Sequence, residues 1–203
     1  MRKEEIQEQI RNIKQSFRLE MNGEASRSMR EKGLDYKVNW GIALPQLQSM
    51  AEKLGQSYQI AIELWKENTR ECKILATLMM PPKEMSRELV DIWMEQTFSQ
   101  EIAEMAVFNL YQYLDYSPML AFEWIASESA IRQLSGYQLL ACLFKRKIEP
   151  NDRGINEFLD QAQAALKGGD LSVGHAAMNC LNHFCNLGEE YALIARKALP
   201  EYL

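Results

Sequence analysis

Three tryptophans recur along the chain at nearly equal intervals. Trp65, Trp93 and Trp124 are separated by 28 and 31 residues, and each comes near the end of a segment with apolar residues at helical spacing. A side chain that recurs at one place in successive units packs between those units more often than it forms a stacking platform on the surface. The spacing therefore predicts a repeated helical unit with a tryptophan in its core.

The same unit can be followed through four segments of the sequence, each with an apolar helix, a short polar corner and a second helix. These segments are 60–79, 88–110, 119–143 and 158–184. Leu166 takes the tryptophan position in the last segment, and small residues follow about eleven residues later in all four, at Ala76, Ala103, Ser135 and Ala177. Units of this length cannot bury their apolar faces alone, so they stack on their neighbours. The pattern predicts an all-α solenoid of helix pairs, an α-α superhelix of the HEAT-like repeat type.

The part of the chain before the repeats shows a different helical pattern. An amphipathic helix is predicted over residues 2–20, with an apolar face made of Ile6, Ile10, Ile13 and Phe17. A short helix over 24–32 and an irregular connection over 34–44 follow. The next helix is predicted to begin near Pro45, because proline is well tolerated in a first helical turn.

Helix-breaking residues separate the repeat units, and no run of alternating strand character interrupts them. The breakers are Pro81-Pro82, Ser117-Pro118 and the stretch 149–152. We therefore expect a single domain over residues 1–203, in which residues 1–40 cap repeat units that run from about 45 to 203.

The composition indicates a soluble cytoplasmic protein. No apolar stretch reaches the roughly 18 residues that a spanning helix needs, and the charged first residues lack the apolar core of a secretory signal. The four cysteines are too few for a disulfide scaffold and show no paired CxxC spacing; they are Cys72, Cys142, Cys180 and Cys185. We expect reduced thiols and no membrane association.

Imidazole and thiolate groups near the C-terminus suggest a zinc site, but their spacing argues against one. His175 and His183 lie two turns apart on a continuous helix, Cys185 points elsewhere, and no second cluster completes a tetrahedron. The chain also lacks P-loop, GxGxxG, GxSxG and HExxH motifs. We therefore expect no metal and no cofactor.

The charge distribution limits where a nucleic acid could bind. The net charge is −5; residues 1–37 hold nine Lys and Arg against seven Asp and Glu, and the other 166 residues hold 14 against 21. A basic DNA-binding face would have to come from local clusters. One comprises Lys145, Arg146, Lys147 and Arg153, and the other Arg27, Arg30, Lys32 and Lys37. Either could contact phosphates, but the first is also consistent with a solvated helix end, where cations favour the helix dipole.

Several short motifs in the first half of the chain resemble one known family. They are Gly33-x-x-Tyr36, Gly41-Ile42 leading to Pro45-x-Leu47, and Leu64-Trp65 followed by Arg70-Glu71 and Ala76. Together with the overall layout, they resemble the AlkD-type DNA alkylation repair family of HEAT-like alkylpurine DNA glycosylases and their relatives. The resemblance implies a helical-repeat fold whose concave face holds double-stranded DNA.

The resemblance also implies four site positions. The family excises cationic alkylated bases with an aspartate, two tryptophans and an arginine. The carboxylate stabilises positive charge on the sugar, the aromatic faces favour cations, and the arginine grips phosphate. By position, the aspartate corresponds to Glu104, the tryptophan four residues before it to Gln100, the arginine to Arg132 and the second tryptophan to Asn179.

These replacements predict weak catalysis. Glu104 is one methylene longer than aspartate and both aromatic positions are polar, so we expect slow or no release of alkylated purines, with Glu104 as the catalytic group if excision occurs. Glu101 could pair with Glu104 as a second carboxylate, or both could lie on the polar face of a surface helix. The predicted DNA contacts are Gln100, Arg132, Lys145, Arg146, Lys147 and Asn179.

Two functions are consistent with these observations. The first is a DNA alkylation repair protein that binds damaged or distorted duplex and acts, if at all, as a glycosylase-like hydrolase. The second is a non-catalytic HEAT-like module that binds a protein partner, which the acidic balance and the missing aromatics favour.

Overall fold

The computed structural model describes residues 2–34 and 36–203 of the chain. Twelve α-helices lie in the described part of the chain: α1 (Lys3–Glu20), α2 (Gly23–Glu31), α3 (Leu44–Leu54), α4 (Tyr58–Lys66), α5 (Arg70–Met79), α6 (Arg87–Glu95), α7 (Gln100–Asn109), α8 (Ser117–Ile125), α9 (Ala130–Lys145), α10 (Asp152–Lys167), α11 (Leu171–Cys185) and α12 (Glu189–Ala198). Single 3-10 turns span Pro82–Glu84 and Tyr111–Tyr113. Within the same residues there is no β-strand, and one isolated bridge pairs Val38 with Thr69. The predicted all-α class is confirmed.

The helix boundaries follow the local sequence closely. Helices α2, α4, α6 and α7 begin after a residue whose side-chain oxygen accepts a hydrogen bond from the first turn, namely Asn22, Ser57, Ser86 and Ser99. The breaker Ser117-Pro118 lies in the first turn of α8 rather than just before it, since proline needs no hydrogen-bond partner there.

The chain divides into two units, Met1–Leu110 and Tyr111–Leu203. In the first, α4 packs against α5, and α5 also contacts α3 and α7. Trp65 and Trp93 are buried and stack face to face, with ring centroids 4.1 Å apart and an interplanar angle of 1°. Ala76 and Ala103 are fully buried, so the small residues lie where the helices approach closely.

The second unit has its own core. Helix α9 lies between α8 and α11, and α10 packs on α11. Trp124 is fully buried, and its ring and that of Tyr111 pack in a T-shaped arrangement at a centroid distance of 5.6 Å. The prediction that all three tryptophans are core residues is therefore confirmed. Leu166 is only half-buried at the end of α10, because a phenylalanine cluster of Phe144, Phe158 and Phe184 fills this core instead.

Helices α8 and α9 approach so closely that only a glycine fits at position 136. A Cβ atom there would lie 2.7 Å from the Ile125 nitrogen and 2.9 Å from the Ala121 oxygen. We expect Gly136→Ala to lower the free energy of unfolding by about 1–3 kcal/mol, because backbone atoms of α8 must move apart. Urea unfolding followed by circular dichroism measures the change.

Gly174 in α11 is the matched control for this substitution. The nearest atom to a Cβ there is the Ala165 oxygen at 3.7 Å, an ordinary contact. Gly174→Ala should leave stability unchanged or raise it by up to about 1 kcal/mol through helix propensity. Equal effects of the two substitutions would contradict the close approach of α8 and α9.

No helix among the described residues is long and apolar enough to cross a membrane.

Candidate nucleic-acid interface

A network of charged and polar side chains is buried in the first unit. The Arg70 guanidinium donates from Nε and Nη2 to the Glu101 carboxylate, with a shortest distance of 2.7 Å, and from Nη1 to Glu71 at 3.1 Å. The Tyr36 hydroxyl donates to Glu101 at 2.5 Å and lies 2.8 Å from the Ser99 hydroxyl. The Arg70 side chain is 5% exposed and the Glu71 side chain 0%. Each of these buried charges therefore needs the opposite charge beside it to offset the cost of its removal from water.

The ionisation of this network follows from its contacts. Burial disfavours the charged guanidinium, but hydrogen bonds and the charge of Glu101, together with the charge of Glu71, outweigh it and raise the pKa of Arg70. Burial and the hydrogen bond to Glu101 raise the pKa of Tyr36 above its usual range. Tyr36 is therefore a neutral donor at physiological pH, and Glu101 has both a cation and a hydroxyl bonded to it.

The network fixes the irregular connection between α2 and α3. Glu71 accepts the backbone N–H groups of Trp40 at 3.1 Å and Ile42 at 3.3 Å, and Arg70 donates to the Ile42 carbonyl at 2.9 Å. Between them, Gly41 has a φ of 71°, and a Cβ on it would lie 2.2 Å from the Asn22 oxygen. Four of the residues in the family motifs, Tyr36, Gly41, Arg70 and Glu71, thus hold one loop in place.

A cleft of about 450 Å³ opens beside this network. Its lining includes Tyr36, Lys37, Lys73, Phe98 and Gln100, and no Asp or Glu of residues 2–34 and 36–203 belongs to it. Phe98, in the connection between α6 and α7, is 92% exposed. The ammonium group of Lys73 donates to the Trp65 carbonyl at 2.8 Å and lies 4.3 Å from the centre of the Trp65 ring. The cleft therefore combines two aromatic rings with two cations.

The residues predicted to carry excision lie on α7. Gln100 is exposed, Glu104 is half-buried, and the Gln100 amide donates to the Glu104 carboxylate at 2.8 Å. Among the described residues, no cation lies within ion-pair distance of Glu104. Glu101 is instead bonded to Arg70 and Tyr36, so this structure does not support a Glu101–Glu104 carboxylate pair.

Three of the predicted DNA contacts lie at the C-terminal end of α9. Lys145, Arg146 and Lys147 are all exposed. Lys147 has a φ of 61°, and the Ile148 N–H donates to the Leu143 carbonyl. A residue in the left-handed conformation with such a hydrogen bond is a common C-terminal capping motif of helices. The Arg146 guanidinium bonds to the Gln112 carbonyl, and the Lys147 ammonium bonds to the Asn186 carbonyl. Arg146 and Lys147 therefore join the end of α9 to the 3-10 turn Tyr111–Tyr113 and to the residue after α11. None of the three cations has a carboxylate partner among the described residues.

The two remaining predicted contacts are also in the second unit. Arg132 is half-buried near the start of α9, and Asn179 is exposed on α11. Thirteen residues separate Arg132 from Lys145, which places their Cα atoms about 20 Å apart at a rise of 1.5 Å per residue. The structure thus sets these two residues at opposite ends of one helix rather than in one cluster.

The described residues contain no group of three or more His, Cys, Asp or Glu side chains that could hold a metal ion. His175 is exposed on α11 and Cys180 is fully buried on the same helix. Burial raises the pKa of the Cys180 thiol well above its usual value, so a neutral thiol packs there in the core.

Sequence reasoning missed two features of this region. The Arg70–Glu101 ion pair joins residues that are 31 apart in the sequence, and no local sequence pattern indicates that they pair. Phe98 is a single aromatic residue in a polar stretch, so no periodic pattern marks it. Phe98 directly precedes the N-cap residue Ser99, and an apolar residue there often packs against the start of its helix, so the sequence does not indicate that this ring is exposed.

Comparison with known proteins identifies the family to which the chain belongs. A family described as DNA alkylation repair enzyme matches residues 13–169. No curated protein sequence matches significantly. A solved structure, described as a new family of proteins related to the HEAT-like repeat DNA glycosylases with affinity for branched DNA structures, superposes with a TM-score of 0.85 at 16% identity. The match covers 95% of this chain and 82% of that one. The HEAT-like repeat fold is thereby confirmed, and the chain belongs to the DNA alkylation repair enzyme family.

Proposed function

We propose that this protein binds damaged or distorted duplex DNA and excises alkylated bases slowly or not at all. Membership of the DNA alkylation repair family supports DNA as the ligand. The structurally similar protein is described as having affinity for branched DNA, which fits recognition of distorted rather than regular duplex.

The main structural support for DNA binding is the group of exposed cations at the end of α9. Lys145, Arg146 and Lys147 are consecutive, exposed and without a carboxylate partner among the described residues, in a chain with a net charge of −5. Two of them are held in place by backbone carbonyls, so they lose little further conformational entropy when they contact phosphates. Contacts of this kind position a duplex without reading its sequence.

The proposal of weak excision rests on the surroundings of Glu104. Its carboxylate accepts a hydrogen bond from Gln100, where the resembling glycosylases have a tryptophan. A polar amide in place of an aromatic face removes attraction for a cationic base or sugar. Asn179, at the other aromatic position, is also polar and exposed.

DNA binding by these cations should depend steeply on salt. The logarithm of the association constant falls with log salt by about 0.9 per phosphate contact. Replacing Lys145, Arg146 and Lys147 together by Gln should therefore flatten the slope by roughly two to three units. Fluorescence anisotropy of a labelled duplex at several salt concentrations measures both slopes.

The control is a second triple variant that removes the same number of positive charges at other positions. Lys167, Arg196 and Lys197 are also exposed cations of the second unit, and their replacement by Gln should leave the slope closer to that of the wild type. Thermal melts of both variants show whether loss of the α9 end contacts, rather than loss of charge, explains the change. A slope that the first triple leaves unchanged would place the footprint elsewhere, with Arg27 and Arg30 as the next candidates.

Exposed apolar residues on the first unit favour a protein partner as the second candidate function. Leu19 is 86% exposed and borders an apolar groove of about 410 Å³ between α1 and α3, with Met50 and Leu54 on its other side. A wild-type protein that retains no duplex at low salt would support this candidate over DNA binding.

A further inference from the structure

We propose that the cleft beside Phe98 is a subsite for one unstacked nucleotide, whose base stacks on Phe98 while its phosphate lies against Lys37 and Lys73. The proposal rests on DNA binding as the proposed function. It adds the class of DNA that fits best, one with an unpaired base at a bulge, branch or lesion.

The aromatic side chains of the cleft suit a nucleobase. Phe98 exposes 92% of its surface to solvent, which leaves a large apolar side chain unburied in the protein alone. Tyr36 is held on the cleft wall by its hydroxyl, through Glu101 and Ser99. Every base has an aromatic face that can stack on such side chains, so stacking of this kind tolerates any sequence.

The charges of the cleft suit a phosphate. Among the described residues of its lining, Lys37 and Lys73 are the charged side chains. The nearby Glu101 is already bonded to Arg70, so it does not compensate these lysines. Lys73 is half-buried, and desolvation lowers its pKa. An anion in the cleft would offset that cost, because an opposite charge favours the ammonium form.

The size and polar lining of the cleft also fit this ligand. A volume of about 450 Å³ lies within the range of small-molecule sites. Asn68, exposed on the lining, carries an amide that can both donate to and accept from a base edge. Gln100 lines the same cleft and bonds to Glu104, so the subsite adjoins the position that the resembling glycosylases use for excision.

The test compares a fully paired duplex with the same duplex carrying one extrahelical 2-aminopurine. We expect the wild type to bind the bulged duplex at least about fivefold more tightly and to quench its fluorescence, since stacking on an aromatic side chain has that size. Phe98→Ala should abolish the preference and the quenching, and change affinity for the paired duplex by less than about twofold. Because Phe98 is so exposed, the variant should keep the wild-type melting temperature.

Two further variants make the result specific. Phe108→Ala removes another exposed phenylalanine, on α7 and outside the cleft, and should keep the bulge preference. Lys37→Gln should lower the salt slope for bulged DNA by about one unit. A bulge preference that survives in Phe98→Ala, or that is absent from the wild type, would overturn the subsite and leave duplex binding intact. Failure of the wild type to bind either DNA at low salt would overturn both proposals.

Discussion

Arg70→Met is expected to lower the free energy of unfolding by about 3–5 kcal/mol. Methionine keeps much of the side-chain volume but removes the cation that bonds to Glu71 and Glu101. Glu71 is fully buried, so its carboxylate would remain without a cation inside the protein, which is the costly way to break a buried ion pair. For a chain of this length the melting temperature should fall by about 6–20 °C.

Arg27→Met is the matched control for this prediction. Arg27 bonds to Glu31 at 2.9 Å, but the two side chains are 82% and 64% exposed. Solvent screens such a pair, so its loss should cost less than about 0.5 kcal/mol. Adding Glu71→Gln and Glu101→Gln to Arg70→Met should recover part of the lost stability, because it removes the uncompensated charges. Similar melting temperatures for Arg70→Met and Arg27→Met would show that the buried network contributes little.

The sequence predicted the fold well because the repeat is a local pattern. Trp65, Trp93 and Trp124 lie at equivalent places in units of similar length, and a unit that recurs must bury the same positions each time. All three tryptophans are buried. The treatment of residues 1–203 as a single domain, capped by residues 1–40, stays a prediction.

The candidate site was less predictable because it depends on contacts between distant parts of the chain. Tyr36 and Glu101 are 65 residues apart and meet only after α7 has packed on α5. The cleft likewise brings Lys37 together with Lys73 and Phe98, which no spacing rule relates. Family resemblance located Gln100 and Glu104 on one helix face, yet it gave no indication of the exposed phenylalanine before that helix.

The hydrogen bond between Gln100 and Glu104 bears on the excision chemistry. A carboxylate that acts on a sugar must be held within a fraction of an ångström, and a misplacement of about 1 Å can cost ~100-fold in rate. Glutamate reaches one bond further than aspartate, and here the Gln100 amide at 2.8 Å directs its oxygens. We infer that both features keep Glu104 from the position that stabilises developing positive charge.

Wild-type protein should therefore release a cationic methylpurine from duplex DNA at close to the uncatalysed rate in a single-turnover experiment, and Glu104→Gln should leave that rate unchanged.

The double variant Gln100→Trp/Glu104→Asp shortens the carboxylate, removes its amide partner and supplies an aromatic face. We expect it to accelerate release by about 100-fold. Gln100→Trp/Glu104→Asn is the matched control; it keeps the shape without the charge, so it should stay at the background rate if the carboxylate acts on the sugar. Rapid release by the wild type that Glu104→Gln abolishes would show that Glu104 is catalytic as it stands. Rapid release by both proteins would place the chemistry on residues other than Glu104.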